Sequence, residues 1–424
     1  MKLTADEQAM LDGKEGPAVQ KAMELLVKYG EALGAERLVD TNNVCDANVY
    51  SPTPGLPPFD GHDHIFSQMS LDSDEILEIP KVKAFSCQLI GRMDSRHWRL
   101  QGIDQTTHDL ILESESYNAA HGIQLMNTCT PYQIGNVPVK GEHCAWMESS
   151  AVVYINSVLG ARSNVEGRES TAAAMLTGKI PYWGYHLESE RRGTHYVTIE
   201  VPVESFMDWG LLGYFVGQAV GDKVPVIDNV KNSPNLSKLK HFGAAASTSG
   251  GVEMYHIPGV TAEARTVEEA FSGNKIYEKF RFGPEERRKV YEDLNRTGRD
   301  TNVDLVMLGC PHSSIQQIWE ICNLLDGKKV HSNTQLWIFT PHPIRELADR
   351  IGYTKILEDA GAVLMSDTCP AIGRFLPKGT KVIATDSAKQ VHYLPAIMHV
   401  QGWFGSTQDC ISAAITGRWK GELQ

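Results

Sequence analysis

Two stretches towards the C-terminal end of the chain share one pattern, and this pattern decides the fold. They read Val303-Asp304-Leu305-Val306-Met307-Leu308-Gly309-Cys310-Pro311-His312-Ser313-Ser314 and Ala362-Val363-Leu364-Met365-Ser366-Asp367-Thr368-Cys369-Pro370-Ala371-Ile372-Gly373. Each starts with a short apolar run, typical of a strand that is buried on both faces, and ends in a polar turn that carries a cysteine. Because ligands bind outside the carboxyl ends of the strands in open α/β sheets, we expect Cys310 and Cys369 at the functional edge.

Strand and helix signals alternate around these two stretches. The alternation predicts a parallel βαβ lobe over residues 296–424, preceded by an N-terminal α/β region over residues 1–295 with one or two subdomains. In the lobe we expect strands at 303–308, 335–340, 362–366 and 381–385, and helices at 314–325, 343–359 and 406–419. In the N-terminal region we expect two helices within 4–34, further helices at 109–121, 144–159, 170–176, 206–219 and 284–295, and strands at 37–40, 123–126 and 194–203. Residues 247–251 are interpreted as a tight connection, with an anion-holding turn as the alternative.

A third cysteine, Cys129, has a similar setting in Met126-Asn127-Thr128-Cys129-Thr130-Pro131-Tyr132, after the predicted strand 123–126. Three strand-end thiols from distant segments suggest one shared metal centre. The local C-x-x-C pairs of structural zinc sites and thiol–disulfide enzymes are absent. An iron–sulfur cluster with three thiolate ligands explains all three cysteines and leaves one iron open as a Lewis acid. The alternative, a Cys310 nucleophile with His312 as its base, leaves Cys129 and Cys369 unexplained.

We assign the other five cysteines to core packing, three of them inside predicted helices. They are Cys45, Cys87, Cys144, Cys322 and Cys410, of which the last three lie in the helices.

Composition limits the function classes. The chain has 424 residues, eight cysteines and a formal net charge of −12. This acidic balance argues against a nucleic-acid or anionic-membrane surface, whereas an anionic small substrate stays possible in a locally basic cleft. There is no signal peptide, no apolar run that could span a bilayer, no disulfide framework and no nucleotide-binding fingerprint. We therefore expect a cytoplasmic protein with reduced cysteines.

Two polar segments are candidate substrate contacts. The first, at the end of the predicted helix 144–159, suits carboxylate or phosphate recognition because the guanidinium group pairs bidentately with such anions. A capped, solvated connection between helices is the alternative. The polar residues of this first segment are Asn156, Ser157, Arg162, Ser163, Asn164, Glu166 and Arg168. The second, residues 51–74, is rich in Pro, Gly and His and predicts a long loop over a substrate or against another subunit. Within it, Asp60, His62 and His64 are interpreted as solvated loop residues rather than metal ligands.

Several motifs together resemble the aconitase X family. They are Asn127-Thr128-Cys129-Thr130-Pro131-Tyr132, Gly141-Glu142-His143 with Glu148-Ser149-Ser150, Asn156-Ser157-Val158-Leu159-Gly160-Ala161-Arg162-Ser163-Asn164, Tyr255-His256 with Gly259-Val260-Thr261, Gly309-Cys310-Pro311-His312 and Asp367-Thr368-Cys369-Pro370. The match is like the large subunit of the two-subunit form and runs from the first helix to the C-terminus. The resemblance implies an aconitase-like α/β architecture of several lobes, with the cluster site at the strand carboxyl ends between them.

The resemblance also implies an iron–sulfur hydro-lyase that removes water from a small anionic hydroxy acid. The activities known in the family are dehydration of cis-3-hydroxy-L-proline, which we favour, and of mevalonate 5-phosphate. The cluster ligands would be Cys129, Cys310 and Cys369, with [4Fe-4S] or [3Fe-4S] favoured and [2Fe-2S] as the alternative. In the family a swivelling small domain, or a separate small subunit, contributes a serine that acts as the base. No such domain is appended here, so we expect a separate small subunit. Residues 41–74 depart from the family's His- and Gly-containing pattern, which leaves the substrate open.

The aconitase pattern assigns further roles. Arg162 would clamp the substrate anion, Ser163 and Asn164 would orient it, and the remaining substrate contacts would be Asn156, Ser157, Arg168, Thr130 and Tyr132. Ser163 and His312 are the candidate catalytic residues. His312 would either protonate the departing hydroxide or fix a sulfide through a hydrogen bond. Two other functions stay open: a non-catalytic iron–sulfur scaffold subunit, and a cysteine hydrolase or acyltransferase that uses Cys310 and His312.

Overall fold

The computed structural model describes residues 1–46, 79–91 and 93–423, and its strands form three parallel β-sheets and one antiparallel pair. The segment before residue 190 contains the first parallel sheet and the antiparallel pair. Its elements are α1 (Ala5–Leu11), α2 (Pro17–Ala32), β1 (Leu38–Asp40), β2 (Asn43–Asp46), β3 (Phe85–Gln88), α3 (Gln105–Ala120), β4 (Ile123–Gln124), β5 (Ala145–Trp146), α4 (Ser149–Tyr154), α5 (Arg168–Thr177) and β6 (Lys179–Pro181). Thr4 caps α1 in a capping box with Glu7.

The middle of the chain forms a three-stranded parallel sheet in the order β8-β7-β9. Its elements are β7 (His195–Ile199), α6 (Phe206–Val220), β8 (Pro225–Asp228), α7 (Leu236–Gly250), α8 (Val267–Phe271), β9 (Glu278–Phe282) and α9 (Pro284–Leu294). Helices α6 and α7 pack closely, because Gly213 of α6 lies against the backbone of Phe242 in α7.

The C-terminal segment forms a five-stranded parallel sheet in the order β12-β11-β10-β13-β14, and the predicted βαβ lobe is confirmed. Its elements are β10 (Leu305–Leu308), α10 (Ile315–Leu325), β11 (Gln335–Thr340), α11 (His342–Ile351), α12 (Tyr353–Ala360), β12 (Ala362–Ser366), α13 (Pro370–Gly373), β13 (Val382–Thr385), α14 (Ala388–Met398), β14 (Gln401–Phe404) and α15 (Thr407–Thr416). Strand β10 is fully buried, which explains its continuous apolar sequence.

The prediction of one helix over 144–159 is wrong. Residues 145–146 form β5 instead, paired in parallel with Val44 and Cys45 of β2, so Cys144 precedes a strand. Helix α4 is short and continues as a π-helical turn over Ile155–Leu159. Most side chains of the segment are buried, so its apolar residues show no period that separates a helix from a strand.

Three further predictions are corrected. Residues 247–250 are the last turn of α7 rather than a connection or an anion-holding turn, because their small side chains pack against α6. The predicted helix 343–359 is two helices, α11 and α12, which meet at Gly352 with φ of 85°. Helix α14 and strand β14 were missed; Pro395 inside α14 weakened its helical pattern.

Two of the sheets meet through their carboxyl ends. The first sheet has the strand order β4-β3-β2-β5, so the strand order reverses between β2 and β5. The third sheet has the same kind of reversal between β10 and β13. Such switch points open a crevice at the carboxyl edge of a sheet. The edges are joined where Gly91, beyond β3, donates its N–H to the carbonyl of Asp367, beyond β12, at 2.7 Å. In the part of the chain that the structure describes, no helix combines the length and the apolar content needed to cross a bilayer.

Candidate active site

The three predicted strand-end thiols line one cavity of about 80 Å³ between the first and third sheets. Cys129 follows β4, Cys310 follows β10 and Cys369 follows β12. The strand end at Cys310 depends on Gly309, whose φ of 97° and close approach to the backbone of Phe339 leave no room for a side chain. The same cavity is lined by Glu148, Ser150, His312 and Lys389.

Electrostatics hold the three thiols in their neutral form. Burial raises the pKa of Cys369 to about 12, and burial with the nearby Glu148 carboxylate places that of Cys129 still higher. Burial also raises the pKa of Cys310, although the Lys389 ammonium and the Ser387 hydroxyl favour its thiolate. A bound cation reverses this balance because it stabilises thiolates directly.

The donor set fits an iron–sulfur cluster better than a single metal ion. Among the described residues, no three His, Cys, Asp or Glu side chains are arranged to bind one ion. A single zinc needs all its sulfur ligands at about 2.3 Å from one centre, whereas a cluster binds each thiolate on a different iron and accepts a wider spacing. Cys129, Cys310 and Cys369 line one cavity together, so the residues present fit the group.

An ion pair inside the cavity was not predicted from the sequence. Lys389 Nζ lies 2.5 Å from Glu148 Oε1, and the Ser150 hydroxyl donates to the same oxygen at 2.9 Å. Burial raises the pKa of Glu148, but the Lys389 ammonium and hydrogen bonds outweigh it and the net pKa is lowered. The pKa of Lys389 is raised in turn, since Glu148 and the thiols outweigh its burial. Both groups are charged at neutral pH.

His312 connects the loops that carry the three cysteines. Its Nδ1 is 2.9 Å from the Thr128 hydroxyl, beside Cys129, and its Nε2 is 3.1 Å from the Thr368 carbonyl, beside Cys369. Its own peptide N–H lies 3.4 Å from Cys129 Sγ. Burial lowers the pKa of His312 to about 4, so the ring is neutral at pH 7. Because both ring nitrogens are engaged in this way, the ring is not paired with the Cys310 thiol as a nucleophile–base reading requires.

The predicted substrate loop does not line this cavity. Asn156 donates to the Ser163 carbonyl at 2.8 Å and accepts from the Ser163 N–H at 3.0 Å, and the Ser157 hydroxyl accepts from the Tyr255 N–H. The Asn164 side-chain oxygen accepts from the Tyr185 N–H at 2.8 Å. These groups hold the loop onto neighbouring segments, and their substrate role stays a prediction.

The other predicted substrate residues are placed as follows. Arg162 binds the His186 carbonyl and the Glu188 carboxylate. Arg168 begins α5. Thr130 is buried beside Thr128, with 3.1 Å between the hydroxyl oxygens, and Tyr132 stacks on a neighbouring tyrosine ring. None of the four is among the cavity-lining residues in the described ranges.

The predicted core packing of the other five cysteines is confirmed, since all are buried. Asp60, His62 and His64 lie outside the described residues, as does all of the predicted loop 51–74. Sequence reasoning missed Lys389 and the site role of Glu148. Lys389 follows the predicted strand 381–385, at the same edge as the cysteines, whereas the strand before Glu148, β5, was predicted as part of a helix.

Comparisons with known proteins identify the family of this chain. Family models described as Aconitase X first, second and third domain match residues 1–189, 193–292 and 303–416. The phosphomevalonate dehydratase large subunit of Methanocaldococcus jannaschii is 37% identical over 421 residues, which cover 97% of this chain and 99% of that protein. The cis-3-hydroxy-L-proline dehydratase of Pseudomonas aeruginosa is 32% identical over 425 residues, covering 98% of this chain and 70% of that protein. The crystal structure of Thermococcus kodakaraensis aconitase X in its holo-form matches with a TM-score of 0.83 and 32% identity, over 98% of this chain and 100% of that one.

Proposed function

This chain belongs to the aconitase X family and is a dehydratase, and we propose that it removes water from a compact hydroxy acid at an iron–sulfur cluster held by Cys129, Cys310 and Cys369. The observation that carries this proposal is that three thiols, from three separate loops, line one cavity. When bound, such a cluster supplies one iron without a protein ligand, which acts as a Lewis acid.

The chain's own residues prepare the cavity for the reaction. The Lys389 ammonium orients the substrate carboxylate, since a fixed charge in a poorly hydrated cavity interacts strongly with an anion. Glu148 and Ser150 hold Lys389 in place through the ion pair and the hydrogen bond described above. His312 acts as a positioning residue, since its ring contacts hold the three cysteine loops in place. A neutral ring with both nitrogens engaged is a poor proton donor.

The charge of the cavity favours a substrate close to cis-3-hydroxy-L-proline. Among the described lining residues, Glu148 and Lys389 are the side chains charged at neutral pH, and they neutralise each other. A zwitterionic hydroxy amino acid adds no net charge to this site. Mevalonate 5-phosphate carries a phosphate as well as a carboxylate and would need further cations.

Mevalonate 5-phosphate is the second candidate. It is favoured by the 37% identity to a phosphomevalonate dehydratase large subunit that this chain matches over 99% of its length. That relative's name, "large subunit", also supports a separate small subunit as the partner of this chain. We propose that the small subunit supplies the base that removes the proton from the carbon next to the carboxylate.

The test is anaerobic co-purification of this chain with its small subunit, followed by assays on both substrates. We expect the iron-loaded complex to convert cis-3-hydroxy-L-proline into a product that has lost one water, detected by mass spectrometry, and the isolated chain to be inactive. Conversion of mevalonate 5-phosphate alone would select the second candidate. An iron-loaded complex that is inactive on both would favour a scaffold subunit, and a complex that binds no iron would refute the proposal.

A further inference from the structure

Lys240 is a buried ammonium group that the proposed reaction does not use. It lies on α7, and its side chain is 1% exposed. Its Nζ lies 2.7 Å from the carbonyl oxygen of His312, 2.6 Å from Gln317 Oε1 and 3.4 Å from Gln133 Oε1. Three acceptors match the three ammonium protons, and all three acceptors are uncharged.

A buried cation with neutral partners is costly for the fold. Burial of an ion costs several kcal/mol unless opposite charge compensates it. No carboxylate of residues 1–46, 79–91 or 93–423 forms an ion pair with Lys240, although Asp386 attracts it from further away. Burial lowers the pKa of Lys240 to about 8, so the ammonium form still predominates at pH 7.

The backbone of His312 connects Lys240 to the proposed cluster ligands. In their thiolate forms Cys129 and Cys310 would attract the Lys240 ammonium, as Asp386 does. His312 stands between the ammonium and one of these sulfurs, because its carbonyl accepts from Lys240 while its N–H lies 3.4 Å from Cys129 Sγ. The ammonium thus contacts the loop that follows Cys310 through the His312 carbonyl.

We propose that Lys240 is a charge-compensating and positioning residue for the cluster: its ammonium offsets the negative charge that collects when Cys129, Cys310 and Cys369 ionise to bind iron. This inference rests on the proposed function. A cluster with three thiolate ligands becomes more negative on reduction, and a fixed cation in a site of low dielectric stabilises the reduced form.

A purely structural role would use the same contacts, since Lys240 also joins α7 to the loop after β10. Two variants separate the charge from the hydrogen bonds. Lys240→Gln removes the charge and keeps side-chain donors. Gln317→Met keeps the charge and removes one acceptor of the ammonium.

The experiment is a redox titration of the anaerobically reconstituted complex, followed by electron paramagnetic resonance. For Lys240→Gln we expect the equilibrium constant of one-electron reduction to fall about tenfold, a shift of about 59 mV to more negative potential. Chelator should also remove iron faster from this variant. Gln317→Met should keep the wild-type potential. If Lys240→Gln does not fold, Lys240→Met is measured instead, with the same expectation.

Two results would overturn the charge role and leave the cluster assignment standing. One is an unchanged potential in a fully loaded Lys240 variant. The other is an equal shift in Gln317→Met, which would assign the effect to the hydrogen-bond network. A wild-type complex that binds no iron would instead remove the proposed function and this inference together.

Discussion

Position relative to the cavity separates the cysteines of this chain into two groups. Cys310 and Cys369 lie at strand ends and are partly accessible to the cavity, whereas Cys322 packs within α10 against the core of the same lobe. This contrast provides a matched pair of substitutions in one lobe. Replacing Cys310 by Ser should abolish iron binding and the visible absorbance of the reconstituted protein, because a serine hydroxyl does not ionise to replace a thiolate ligand. The measurements are iron and sulfide analysis and the absorption spectrum.

Cys322→Ser should retain the spectrum and lose about 1 kcal/mol of stability through burial of a hydroxyl. An unchanged spectrum in Cys310→Ser would reject this cysteine as a ligand.

Lys389 and Lys355 form ion pairs in opposite surroundings. The pair of Lys389 with Glu148 lies in the cavity, whereas the pair of Lys355 with Asp359 lies on the surface of α12. Lys389→Met should lower kcat/KM of the complex by about a hundredfold, because it removes the charge that orients the substrate. Lys355→Met should leave kcat/KM unchanged, since exposed pairs contribute little. Equal kinetic constants for wild type and Lys389→Met, measured at full iron loading, would exclude the orienting role.

His241 gives the protein a pH dependence with a definite sign. Burial, followed by the neighbouring Lys240 ammonium, lowers its pKa to about 3, against a usual value of about 6.5. As pH falls from about 6.5 to 3, the unfolded chain gains a proton at this position and the folded chain does not, so the folded state loses stability. Above that range the ring is neutral in both the folded and the unfolded chain, so His241 causes no loss of stability. His241→Gln should therefore lose less stability than wild type over this range, as measured by urea unfolding at several pH values. A difference between the two proteins that does not vary with pH would contradict the prediction.

At the scale of elements, the close contact of α6 with α7 depends on which glycine faces the neighbouring helix. A Cβ on Gly213 would meet the Phe242 carbonyl and lie 3.0 Å from Ala245 Cβ, whereas a Cβ on Gly210 would find its nearest neighbour, Phe404 Cζ, at 3.7 Å. Gly213→Ala should destabilise the protein by about 1–3 kcal/mol through overpacking. Since α7 carries Lys240, the same change should loosen the support of the loop after Cys310.

Gly210→Ala is the control on the same helix. It should be neutral or stabilising by up to about 1 kcal/mol, because alanine has the higher helix propensity. Chemical denaturation of both variants provides the measurement. Equal effects would mean that the packing of α6 on α7 is less tight than the structure shows.

At the scale of the whole molecule, Asp94 links the N-terminal segment to the C-terminal lobe. Its carboxylate accepts from the Ser366 N–H at 2.5 Å, lies 3.8 Å from the Arg345 guanidinium and accepts from the His97 N–H at 2.6 Å. Burial raises the pKa of Asp94, but the hydrogen bonds with the His97 ring and the Ser366 N–H outweigh it and the net pKa is lowered. Its contribution to stability is therefore present at neutral pH and lost as pH falls through the lowered pKa.

Asp94→Ala should destabilise the protein by about 3–5 kcal/mol, because it leaves Arg345 buried without its partner. The strand end before Cys369 should also lose its alignment, so iron retention should fall in parallel. Asp359→Ala, on an exposed pair, should change neither quantity. Unfolding curves and iron analysis of the two variants test this, and unchanged stability in Asp94→Ala would mean that the two parts of the chain are held together elsewhere.

The sequence by itself determined the C-terminal lobe and the three strand-end cysteines. Continuous apolar runs such as 305–308 have few structural alternatives when helical patterns separate them. A polar turn after such a run lies at the functional edge of any parallel sheet, so Cys310 and Cys369 could be singled out without coordinates. The capping box at Thr4 was predictable for a similar reason, since it depends only on neighbours along the chain.

Only the tertiary structure decided which polar residues enter the cavity. The loop at residues 156–164 has a composition suited to anion recognition, but its side chains bond to distant backbone groups such as the Glu253 carbonyl. Lys389 reaches Glu148, 241 residues away, because β13 and β5 end at facing edges of two sheets. Local patterns encode secondary structure, whereas the pairing of buried charges depends on contacts between segments that the chain order does not reveal.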